Sequence, residues 1–134
     1  MKIVKLLFIL MCFNSLAYAD KNMKIGSKGN ESDISRTIKV IMYDNYYEPS
    51  SFQINAGETI KFEVENAGEL VHEFNIANKM MHMKHQPEME KMVENEILFA
   101  DSIDKDKMKK MAKMDKSMGH SHSNSVLLEP KQKG

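Results

Sequence analysis

The chain has 134 residues, with 19 basic and 19 acidic side chains, five histidines, thirteen methionines, one cysteine and no tryptophan. That length holds one domain at most. Balanced charge gives no electrostatic reason to expect nucleic acid as a partner, and a single cysteine excludes an intrachain disulfide framework.

At the amino terminus, Lys2 and Lys5 form a positive n-region and Leu6 to Phe13 an apolar h-region. Ala17-Tyr18-Ala19 is an A-x-A cleavage site before Asp20, so residues 1–19 read as a secretory signal. No later run approaches the roughly 20 apolar residues of a membrane span, so the cleaved chain is expected to be periplasmic or secreted, with no membrane anchor. Cys12 falls inside the signal and lacks the small preceding residues of a lipoprotein box. Cleavage leaves 17 basic against 19 acidic residues, a net charge of −2, and no thiol. Disulfides, cysteine nucleophiles and thiolate ligands are thereby excluded from residues 20–134.

Residues 20–35 are polar, rich in Gly, Ser and Asn, and read as a flexible leader. From Arg36, Ile38, Val40 and Met42 alternate with Lys39, Ile41 and Tyr43, the period of a half-buried strand. Phe52 and Ile54 suggest a short second strand. Ile60, Phe62 and Val64 define a third against Lys61, Glu63 and Glu65, and Leu70, His72, Phe74 and Ile76 share one face of a fourth. Gly-bearing turns at this spacing indicate an antiparallel sandwich or barrel.

At Asn78 the period changes, and residues 78–125 read as a largely helical Met- and His-rich insert within a domain over 36–134. Pro87 suits a first helical position, and Met89, Met92, Val93, Ile97 and Ala100 follow helical spacing, which predicts a helix from Pro87 to Ala100. A second is predicted from Asp104 to Ser117, where Met108, Met111, Met114 and Met118 form a stripe among six lysines. Gly119 stops it, residues 120–125 form a polar loop, and Val126 to Leu128 start another strand.

Nine of the thirteen methionines and four of the five histidines lie between Met80 and His122, densest at Met80, Met81, His82, Met83 and His85. Thioethers select monovalent copper, while imidazoles accept both copper states, zinc and nickel. Outside the cytoplasm a thioether also needs no deprotonation and cannot enter a disulfide, though it can be oxidised to the sulfoxide. His72, on the inward face of its strand, is either a core histidine satisfied by backbone or a metal ligand. The stripe of Met108, Met111, Met114 and Met118 is either ordinary packing or, with His120 and His122 beside it, a metal-binding face. Phosphate-loop, H-E-x-x-H and cysteine-nucleophile signatures are missing, so no enzyme activity is expected.

The ordered elements in residues 37–77, with A-G-E-T-I-x-F at 56–62 and H-E-F at 72–74, resemble the amino-terminal half of secreted cupredoxins of the plastocyanin and azurin type. The likeness is greatest to a bacterial periplasmic branch with a Met-rich insert. HQPEMEKM and HSHSNSVLLEP fit that insert and its following strand. This resemblance implies an all-β Greek-key sandwich with a type 1 copper site, serving electron transfer or copper handling, with a redox or copper-handling protein as a further partner. It makes His72 the first copper ligand. The cysteine, second histidine and methionine of that family sit on a later loop, and only six residues follow Leu128. The expectation is therefore a sandwich incomplete at its C-terminus, with unpaired edges. Its copper would be held by the Met and His cluster, with His72 contributing. The alternatives are a blue copper protein completed by a missing C-terminal segment, a Met-rich interaction module, or a non-functional fragment.

Overall fold

The computed structural model describes residues 25–134. The signal at 1–19, Cys12 and the first part of the leader lie outside the described residues. A short 3-10 turn at Glu31–Asp33 leads into β1 (Ile34–Met42), followed by β2 (Tyr47–Glu48), β3 (Thr59–Asn66) and β4 (His72–Asn75). Two helices come next, α1 (Lys79–Glu94) and α2 (Lys105–Ala112). A 3-10 segment at Lys116–Gly119 then precedes β5 (Ser125–Leu128).

The strands form two sheets, one ordered β2-β1-β3 and the other pairing β4 with β5. Ile38, Val40 and Met42 of β1, Val64 of β3 and Leu128 of β5 make one buried cluster, with Phe62, Phe74 and Val126 packed on it. Alternation along each strand points these side chains into the space between the sheets, as in a β-sandwich. Burying each of them fully contributes about 1.5–3 kcal/mol.

Three expectations about the strands need correction. The strand expected at Phe52 and Ile54 does not form: both side chains are exposed, and the short strand is Tyr47–Glu48. Nor is the three-stranded sheet wholly antiparallel. β2 runs antiparallel to β1, but the chain then returns to place Thr59 beside Ile34, so β1 and β3 are parallel. Finally, the far edge of β3 is paired near its end. Val64 and Gly134 exchange backbone hydrogen bonds of 2.9 Å in both directions, and the Asn66 N–H donates to the Gln132 carbonyl at 2.9 Å.

Asn66 joins the two layers. Fully buried, it donates from Nδ2 to the carbonyls of Leu70 (2.8 Å) and Leu128 (2.9 Å), and accepts from the Gly68 N–H at 3.0 Å. One amide thus satisfies backbone groups on a turn and on β5.

The helical segment starts earlier than Pro87. Asn78 caps α1 through its side-chain oxygen, which accepts from the Met81 N–H at 2.8 Å, and Pro87 lies inside the helix. A cap that satisfies an otherwise unpaired amide outweighs the helix-start preference of proline. The helix also ends sooner, at Glu94 instead of Ala100. The second helix is likewise shorter than expected. It stops at Ala112, and Asp115 caps the 3-10 segment by accepting from the Ser117 N–H at 3.0 Å. Met92, Ile97 and Met118 form a second buried cluster, with Met89, Met108, Met111 and Leu127 packed on it. Leu128 thus faces the sandwich interior and Leu127 the helical segment, so β5 is buried on both sides.

Candidate metal centre

In the β4–β5 register, Glu73 is paired with Leu127. Paired residues share a face, so Glu73 lies on the outer face that the helical segment covers. On α1, Met81, His85 and Glu88 are spaced i, i+4 and i+7, which aligns them along one side of the helix. The third contribution comes from the turn after Gly119. His120 adopts the left-handed conformation there (φ 45°, ψ 46°), which a β-branched or bulky side chain adopts only at a cost. Asn124 fixes the end of this loop, donating to Asn75 Oδ1 and to the Ile76 carbonyl, both at 3.0 Å.

These elements bring His85, His120 and His122 together, with one ring nitrogen from each within 4.8 Å of the others. Nε2 of His85 and Nε2 of His120 are 3.4 Å apart. The rings stand at steep angles to one another, 85° between His85 and His122 and 88° between His120 and His122. Two carboxylates border the cluster. Glu73 lies 3.0 Å from His85 Nε2 and 3.2 Å from His120 Nε2. Glu88 lies 3.2 Å from His85 Nδ1 and 3.0 Å from His122 Nε2. That last contact is close but badly directed, so His122 Nε2 is a buried nitrogen without a hydrogen bond. In the tautomer that leaves Nε2 unprotonated, this nitrogen can ligate a metal ion.

Burial pushes the Glu73 carboxyl up, but the hydrogen bonds and charges of His120 and His85 outweigh it and hold the group down at about 2. Glu73 is therefore a fixed negative charge beside the imidazoles. Asn75, Met81, Lys84 and Asn124 join His85, Glu88 and His122 around an adjoining cavity of about 200 Å³.

His72 is held elsewhere, its Nε2 2.9 Å from Asp44 Oδ1 and its ring edge-on to Tyr47. Asp44 also accepts from the backbone N–H groups of Glu69 (2.9 Å) and Leu70 (3.1 Å), and the His72 hydrogen bond is the main cause holding its carboxyl below the usual range. Gly68 is required here, since a Cβ at that position would meet Asp44 Oδ1 at 2.1 Å.

The structure disperses the remaining candidates. Consecutive residues on a helix differ by roughly 100° in direction, so Met80, Met81, His82 and Met83 cannot converge. Met80 and Met83 are 48% and 62% exposed, His82 is exposed, and Met81 alone of the four lines the cavity. The break after α2 turns Met114 out of the methionine stripe and leaves the other three packed together. Met108 and Met111 pack on the second cluster, Met118 is 3% exposed within it, and Met114 is 80% exposed. Glu73 and Glu88, which border the cluster, were not among the candidates read from the sequence, nor was Asp44, which holds His72. Glu88 had a local signal, standing one helical turn after His85.

A family model described as a cupredoxin-like domain matches residues 5–102. The chain belongs to the cupredoxin-like family. It is 35% identical over 119 residues to the copper-resistant cuproprotein CopI of Pseudomonas aeruginosa, covering 78% of this chain and 61% of the relative. It is 30% identical over 74 residues to the copper-resistant cuproprotein CopI of Rubrivivax gelatinosus, covering 54% of this chain and 45% of the relative. The chain thus spans about half to three-fifths of the length of these curated relatives. No solved structure matches it. The resemblance read from residues 37–77 is to this same family. Among the described residues, no helix is long and apolar enough to cross a membrane.

Proposed function

We propose that this cupredoxin-like protein binds copper as cargo through His85, His120 and His122, in the periplasm or outside the cell, and serves copper handling instead of catalysis. The observation that carries the reading is the convergence of three imidazoles, one with a buried nitrogen that makes no hydrogen bond, in a segment whose described residues contain no thiol. Imidazole is a good ligand for copper, and ligands arriving from α1, the turn at His120 and the loop before β5 are oriented by the carboxylates behind them. The names of the curated relatives support copper as the ion, and the signal pattern at residues 1–19 supports export. His72 keeps the position of a cupredoxin ligand but is proposed to act here as a turn-fixing residue through Asp44. Met108, Met111 and Met118 are proposed to pack, and Met80, His82, Met83 and Met114 to lie outside the site.

Replacing Met80, Met81 and Met83 together with leucine tests the reading against thioether capture. Met80 and Met83 are exposed and Met81 is half-buried against the cavity; if none holds the ion, three shifts of about 0.5 kcal/mol or less leave the Cu(II) dissociation constant changed by less than about tenfold. A tenfold or greater loss would return the copper to the methionines.

A further inference from the structure

The donors that converge at this centre are nitrogen and oxygen. Three imidazole nitrogens lie together, two carboxylates stand within 3.0 to 3.2 Å of them, and the thioether Met81 belongs to the wall of the adjoining cavity. Thioether and thiolate donors favour monovalent copper, whereas imidazole suits divalent copper, zinc and nickel. Charge points the same way. Glu73 and Glu88 together carry two negative charges beside the nitrogens, which a dication neutralises and a monocation does not. Glu73 lies close to both His85 and His120, so a cation shared by those rings would be held next to its charge.

We infer that the His85, His120 and His122 centre, backed by Glu73 and Glu88, is a divalent-ion site that takes Cu(II) and admits Zn(II) while discriminating against monovalent ions. The inference rests on the proposed function for its choice of residues. It differs in naming the charge state of the ion and in making the carboxylates determinants of that choice. The methionine-rich composition of the segment by itself points to Cu(I), but Met89, Met92, Met108, Met111 and Met118 pack together in the second cluster.

Zn(II) and Ag(I) serve as redox-inert probes of the two charge states, with the histidine side-chain nitrogen signals of the signal-free protein followed by NMR. One equivalent of Zn(II) is expected to shift the signals of His85, His120 and His122, and Ag(I) to engage them at least about tenfold more weakly. Glu73→Gln is expected to weaken Zn(II) about 10- to 100-fold, the usual cost of removing a group that supports ligating histidines. Its effect on Ag(I) should be less than about threefold. Glu88→Gln, at a more exposed position, should repeat the pattern if Glu73→Gln fails to fold. Ag(I) shifting the three rings as tightly as Zn(II), or carboxylate variants that weaken both ions equally, would overturn the inference while leaving copper binding by the imidazoles intact. Three rings that respond to Cu(II), Zn(II) and Ag(I) not at all would remove both readings.

Discussion

Alanine in place of His85 is expected to lower Cu(II) affinity by at least about 10-fold, because losing a ligand should cost no less than the 10- to 100-fold typical of losing a group behind one. His85 is the central member of the cluster. It is 8% exposed, approaches both Glu73 and Glu88, and lies 3.4 Å from His120. His72→Ala is the companion variant. It removes the residue that family position alone would choose, together with its contact to Asp44, but it touches none of the three converging rings. Its Cu(II) affinity should therefore stay close to that of the unaltered protein. Competition titrations on both variants, with circular dichroism confirming that each is folded, separate the two positions. The reverse ranking would place the copper at His72.

Met92→Ala is expected to reduce unfolding free energy by about 2–5 kcal/mol in urea titration of the metal-free protein. Met92 is completely buried between Ile97 and Met118, and its carbonyl accepts from the N–H groups of Ile97 (2.8 Å) and Leu98 (3.1 Å). Truncation removes three heavy atoms from a cluster that joins α1 to the 3-10 segment, and a close-packed interior refills such a void only in part. Met114→Ala, at an 80% exposed site, should change stability by about 0.5 kcal/mol or less. Since Met118 stands two residues before His120, the Met92 variant should also bind copper less tightly. An equal effect of the two substitutions would mean that the methionines do not form a core.

The strands were legible wherever one face is buried. Alternation at Ile38, Val40 and Met42 and at Ile60, Phe62 and Val64 follows from the sandwich interior they line. Phe52 and Ile54 show the same alternation yet remain exposed, because a two-position pattern without a partner strand fixes nothing. Helix limits were missed for a related reason. The Asn78 and Asp115 caps are local side-chain hydrogen bonds, invisible to an apolar period. His85, His120 and His122 stood among the candidates, but so did nine other residues. What selects these three is the pairing of Glu73 with Leu127 and the left-handed turn at His120, both products of tertiary packing. The spacing of His85 and Glu88 and the His120-x-His122 doublet were readable in the sequence, although neither reveals that they meet.

X-ray absorption at the copper edge of the signal-free protein loaded with one equivalent of Cu(II) most directly tests whether imidazoles, and not thioethers, hold the ion. A first shell of nitrogen and oxygen, with the outer-shell scattering of about three imidazole rings that disappears in step with His85→Ala, is the predicted result. A sulfur shell, or an unchanged spectrum in that variant, would contradict the account.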